Sequence, residues 1–293
     1  MKNIAVIFMS IFFESLPFLL LGSLISSIIE TFISNEKIAK IIPKNKVLGS
    51  LVGIFLGFFI PACDCAVIPI SKRLIKKEVP INVAISFMLS SPIINPVVLL
   101  STYYAFSKTE PSIFWYRLIF GILISLIVGI IMGIIFDKKK VVINKIEEIE
   151  CDCDHHHEHD NKIKTIFIHT AYDLFDVVKY LMFGALIASL IQVLLPRSII
   201  TMFNNNEILS VITLMLFAYL ISLCSTSDSF IGKSLLSTFS KSSVIAYLLL
   251  GPMIDIKNTI VLFGNYKKDF VKSLILLIFI SIFIFSVLVV KVI

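Results

Sequence analysis

The feature that most constrains this chain is the length of its apolar runs. Stretches of about 20 or more apolar residues follow one another with short polar gaps, and at helical rise each crosses a hydrocarbon core of about 30 Å. With no water in that core, every run must satisfy its own backbone, so each reads as a helix. The alternating pattern of an outer-membrane barrel is absent. Composition agrees: charged residues make up 16% of the 293 positions, against about a quarter in a soluble domain. The chain therefore reads as an all-α integral membrane protein, embedded in a lipid bilayer as a multi-pass protein of the cell membrane.

Eight spans are predicted, at roughly 4–33, 47–71, 80–106, 112–136, 166–195, 207–231, 243–263 and 270–292. The first is too long for a signal peptide and carries Glu14 and Pro17, so it reads as a mature helix. Residues 1–136 form a first transmembrane half and 166–293 a second, with a polar His- and Cys-rich cytoplasmic loop at 137–165 between them. The distribution of Lys and Arg over the gaps favours both termini in the cytoplasm. The net charge of +6 is spent on those gaps and implies no nucleic acid partner.

The two halves resemble each other. Phe13-Glu14 through Leu24-Ile25 lies over Phe175-Asp176 through Leu186-Ile187, and Phe87 through Asn95 lies over Tyr247 through Asp255. Cys63-Asp64-Cys65 falls opposite Cys224-Ser225-Thr226-Ser227-Asp228. Two homologous four-helix halves would share one orientation, with a pseudo-two-fold axis along the membrane normal. A re-entrant cysteine segment would change the crossing count and permit an inverted repeat instead.

Pro92 and Pro252 fall near mid-span in corresponding positions, followed by Asn95 and Asp255. Proline frees a helix carbonyl, and matched interruptions in two halves point to a transporter's binding site. Ordinary kinks packed by neighbours are the competing reading. Acids and small polar groups in the Cys63 and Cys224 segments are costly at membrane depth and normally face a cavity or a partner. The expected substrate-binding set is Cys63, Asp64, Cys65, Ser91, Pro92, Asn95, Cys224, Ser225, Thr226, Asp228, Asp255 and Asn258. Glu14, Asp173 and Asp176 are candidates for ion coupling, although Asp176 and Lys179 can simply pair on one helix face. In the loop, Cys151, Cys153, His155, His156, His157 and His159 pack soft and borderline metal ligands together without the spacing of a folded zinc module. That tract is a candidate for loose transition-metal capture; otherwise it is a solvated linker, and no cofactor is required.

Pro61 through Pro69, then Val79-Pro80, then Ser90 through Val97 resemble the ArsP/YraQ-like predicted permeases. Cys224 through Asp228 and Gly251 through Asn258 carry the same resemblance into the second half. It implies an eight-helix permease, with some relatives exporting trivalent organoarsenicals. Family members usually carry a small residue between the first two cysteines; Asp64 stands there in this chain and leaves room for a cationic substrate. The function expected is secondary permeation, outward, of a small thiol-reactive solute. A divalent transition-metal exporter and a membrane subunit of a larger complex are the alternatives, and a homo-oligomer or accessory protein is compatible with either. No Walker pattern, His-Glu-x-x-His or Gly-x-Ser-x-Gly occurs, so an enzyme is not expected.

Overall fold

The computed structural model describes residues 2–32, 43, 45–60, 63–136, 141–142, 162–194 and 206–292. Nearly all of them are helical, and the β pairing among them is one isolated bridge between Val142 and Tyr266. The first six helices are α1 (Lys2–Phe32), α2 (Lys46–Phe59), α3 (Asp64–Lys76), α4 (Ile81–Ile94), α5 (Pro96–Phe106) and α6 (Ser112–Ile135). The next six are α7 (Lys162–Leu194), α8 (Glu207–Ile221), α9 (Ser225–Leu235), α10 (Lys241–Met253), α11 (Ile256–Asn265) and α12 (Lys268–Val292).

Six helical runs among the described residues are long and apolar enough to cross a bilayer: α1, α4–α5, α6, α7, α10–α11 and α12. The count of eight is not reached. The other two apolar helices, α2 and α8, have 14 and 15 residues. At helical rise that is about 21–23 Å, short of a core of about 30 Å.

Glycine contacts fix the helix directions. In α2, Gly49 abuts Asn82, Gly53 the backbone of Val83, and Gly57 Ser90 and Ser91, so α2 runs parallel to α4. In α6, Gly121 abuts Ile93, Gly129 Ser86 and Gly133 Asn82, so α6 runs the other way. These small faces let backbones approach closely; a methyl on Gly53 would lie 2.3 Å from the Val83 carbonyl oxygen.

Because α2 and α4 leave from the same end, α3 has to bring the chain back. The predicted span at 47–71 is therefore a helical hairpin whose tip stops inside the bundle. Its open end is fixed by the Asn82 amide, which donates to the Lys46 carbonyl at 2.8 Å, and by the Lys46 ammonium, 3.4 Å from the Gly133 carbonyl. The span at 207–231 does the same from the opposite end. There Ser243 donates to Ser210 at 2.9 Å and the Phe217 and Tyr247 rings pack at 6.1 Å, making α8 parallel to α10. A Lys241–Glu110 ion pair of 2.9 Å marks that second end.

The outer helices pair antiparallel. Ser27 of α1 bonds the Ile166 carbonyl of α7, while Ile11 packs with Ala185 and Ala188. Phe136 meets Phe270, and Phe120 meets Phe285, between α6 and α12. Both α1's start and α12's finish lie at the Lys241 end. The interrupted runs α4–α5 and α10–α11 occupy the centre and are mostly buried, whereas α1 is mostly not.

The interruptions fall where proline predicts them. Pro92 sits in the last turn of α4 and Pro252 in that of α10. Asn95 caps α5 by accepting from the Val97 amide at 3.0 Å, and Asp255 caps α11 by accepting from the Asn258 amide at 2.7 Å. The two polar residues that follow the prolines thus restart the two half-helices.

Candidate functional site

The tip of each hairpin opens a helix from a cysteine cap: Cys63 precedes α3 and Cys224 precedes α9. Helix α3 begins with Asp64 and Cys65, whose free amide ends favour negative charge. Opposite them, the first turn of α11 supplies Lys257 and Asn258. The Lys257 ammonium lies 3.0 Å from Asp64 Oδ2 and 2.5 Å from Asp255 Oδ2. Asn258 donates to the same Asp64 oxygen at 2.8 Å, and Cys65 Sγ donates to Asn258 Oδ1 at 3.5 Å. All five residues of this cluster are buried. Carboxylates at this depth are tolerable because a cation and amides hold them.

A narrow cavity of about 30 Å³, room for one or two water molecules, opens beside the cluster. Cys63, Asp64, Ser222, Cys224 and Lys257 line it together with Ile11, Glu14, Ser15, Phe18 and Leu223. Cysteines from the two hairpin tips therefore face one space. The sulfur atoms of Cys63 and Cys65 and a carboxylate oxygen of Asp64 lie within 4.8 Å of one another. Soft sulfur with one hard oxygen suits a soft metal or metalloid better than a hard cation.

The other expected residues divide. Thr226 hydrogen bonds the Cys224 sulfur at 3.4 Å, at the cavity's edge. Ser91 donates to the Ile60 carbonyl at 3.2 Å and so supports the tip of the first hairpin, whereas Asn95 is used as the cap of α5. Asp228 faces away from the cavity, accepting from the Tyr247 hydroxyl at 3.1 Å. Its other oxygen, without a hydrogen-bond partner, lies against Gly251, where a methyl would sit 2.8 Å away. Next to it Arg117, fully buried, donates to Thr102 at 2.7 Å, Ser229 at 2.8 Å and the Ser225 carbonyl at 3.4 Å. This second cluster ties α9 to α5 and α6.

Of the coupling candidates, Glu14 lines the cavity. Asp176 is ion-paired with Lys179 at 2.7 Å and lies 3.7 Å from Lys72. The side chain of Asp173 lies outside the described residues, as do Cys151, Cys153, His155, His156, His157 and His159. Lys257 is the residue that sequence reasoning passed over. Its signal was a lysine two positions past the restart of a broken helix, which reads equally well as a loop cation.

Six spanning runs among the described residues, two hairpins meeting from opposite ends and a polar cavity at their tips make this a multi-pass membrane protein with a central polar site. Over residues 1–291 the chain matches the ArsP_1 family model, described as a predicted permease, and it belongs to that family. It is 42% identical over 269 residues to the UPF0718 protein YcgR of Bacillus subtilis, covering 92% of this chain and 90% of that protein. A Streptococcus mutans protein, provisionally named a subunit of a two-component membrane permease complex, is 38% identical over 265 residues, covering 90% of this chain and 87% of its own. The UPF0718 protein MJ0584 of Methanocaldococcus jannaschii is 28% identical over 120 residues, 40% of this chain and 32% of that one. No solved structure matches the chain.

Proposed function

We propose that this chain is a secondary permease that exports a small thiol-reactive solute, a trivalent organoarsenical or a soft metal species, through the space between the hairpin tips. The observation that carries this reading is the shared cavity of Cys63 and Cys224, with Asp64 and Lys257 beside them. Thiols from two separate hairpins can hold one soft solute at mid-depth and release it when either hairpin shifts. Glu14, at the same cavity, is the candidate for ion coupling. A partner protein supplying energy fits as well, given the two-component name of the Streptococcus relative.

The architecture supports alternating access. Helices α1 to α6 have 31, 14, 13, 14, 11 and 24 residues, and α7 to α12 have 33, 15, 11, 13, 10 and 25. With the hairpins entering from opposite ends, we read the halves as an inverted repeat whose axis lies in the membrane plane. This replaces the parallel arrangement that eight crossings would give. Among the described side chains, the Lys46 end carries Lys46, Lys72, Arg73, Lys76, Lys77, Lys267, Lys268 and Lys272, and the Lys241 end carries Lys108, Lys233 and Lys241. On the positive-inside rule the Lys46 end is cytoplasmic and both termini lie outside, the reverse of the orientation expected from eight spans.

The test is a flux panel in proteoliposomes with trivalent arsenicals, zinc, copper and cobalt. A soft species should move, and the Cys63→Ser/Cys65→Ser variant should lose about tenfold or more of that flux, because oxygen replaces sulfur at similar size but binds soft species poorly. Full flux in the serine variant would leave the cysteines as packing residues.

A further inference from the structure

Lys257 is one of the residues lining the cavity, and its ammonium lies on Asp64, another of them. The placement is unusual, because the first turn of a helix such as α11 is the end whose dipole disfavours positive charge. Lys257 is held there by two carboxylates, Asp64 at 3.0 Å and Asp255 at 2.5 Å. Its backbone has little freedom: a methyl on Gly184 of α7 would lie 2.9 Å from the Lys257 Cα. The long side chain, by contrast, reaches both carboxylates, and Asp64 lines the cavity. Asp64 is the shared element. It faces Lys257 and Asn258, and its carboxylate also belongs to the three-residue ligand group with Cys63 and Cys65.

One carboxylate cannot serve an ammonium and a cationic cargo equally well at low dielectric, since two positive charges side by side repel strongly there. Removing both would leave two buried carboxylates close together without compensation, which is also costly. Resting on the reading of the cavity as the cargo site, we infer that Lys257 is a tethered competitor. Its ammonium holds Asp64 when no cargo is bound, and a soft cation bound by Cys63, Asp64 and Cys65 displaces it onto Asp255. The second carboxylate is then the retreat that makes the exchange feasible. When the cargo leaves, the lysine returns and the centre is compensated again for the return step. Asp64, between the paired cysteines, acquires a role: it is the contact over which lysine and cargo compete.

The experiment uses the full-length protein in lipid nanodiscs with Cd²⁺ as the soft probe, titrated by calorimetry and followed by thermal melting. Lys257→Gln should bind Cd²⁺ at least about tenfold more tightly than the wild type, because the competing charge is gone. It should melt lower without metal and recover more than the wild type does when Cd²⁺ is added. Asp255→Asn, which removes the retreat, should bind Cd²⁺ more weakly than the wild type, and it serves as the second arm if Lys257→Gln does not fold. Equal or weaker Cd²⁺ binding by folded Lys257→Gln, or unchanged binding by Asp255→Asn, overturns the competitor role. Cys63→Ser/Cys65→Ser tests the underlying reading separately: undiminished Cd²⁺ binding by that variant means the cysteines are not the cargo site, whatever Lys257 does.

Discussion

The two buried charge clusters of this protein sit at comparable places, each at the start of a hairpin's returning helix, and differ in what surrounds them. Around Asp64, Asp255 and Lys257 every charge has a close opposite charge or amide, and the cluster borders a cavity. Around Arg117 and Asp228 the charges are packed among neighbouring helices, and two buried polar atoms, Arg117 Nε and Asp228 Oδ2, have no hydrogen-bond partner. The first arrangement can exchange one partner for another, because Asp64 and Lys257 are among the residues lining a cavity. The second is walled in by Thr102, Ser229, Tyr247 and Gly251, so movement there has to break the packing of α5, α6, α9 and α10. We read the first as the working site and the second as the clasp that holds the second hairpin.

That contrast predicts a ranking of variants by stability. Arg117→Ala should be the most damaging, costing about 3–5 kcal/mol, since removing one partner from a buried charged network leaves the others uncompensated. Thermal melting of the purified protein measures it, and a loss below about 1 kcal/mol would mean that the Arg117 cluster is no clasp. Gly251→Ala comes next, at about 1–3 kcal/mol, because its methyl would press on Asp228 Oδ2 at 2.8 Å. Pairing it with Asp228→Asn in a double-mutant cycle shows whether the cost arises at that contact.

On the other side of the comparison, Cys63→Ser/Cys65→Ser should change stability by about 1 kcal/mol or less, because a hydroxyl can still donate where Cys65 meets Asn258. The same variant should lose most of its flux. A large stability loss with intact flux would reverse the roles assigned to the two clusters. The smallest effect is expected for deletion of 150–160, which should lower metal affinity and leave the melting temperature unchanged within error.

Much of this was legible in the sequence, and the parts that were not share a cause. Pro92 and Pro252 announced the interruptions, because a missing amide in an apolar run has few other uses. Cys63 and Cys224 were legible as polar breaks. The hairpins were not, since 47–71 and 207–231 are each apolar enough to read as one crossing, and a break alone does not say whether the chain continues or turns back. The turn is set by tertiary contacts, above all the close approach of Gly49, Gly53 and Gly57 to α4. Orientation depends on the same point, because reading a hairpin as a crossing moves every later loop to the other side. Lys257 was hidden because a lysine near a helix break looks alike whether it meets water or two carboxylates.

The central claim is that the two hairpin tips share one space. It is tested most directly by thiol labelling of the protein in proteoliposomes, with and without phenylarsine oxide, reading Cys63 and Cys224 separately by mass spectrometry. The account predicts that the arsenical protects both cysteines from maleimide together, and that Cys63→Ser weakens the protection of Cys224. Protection of one cysteine while the other labels at its full rate would contradict it.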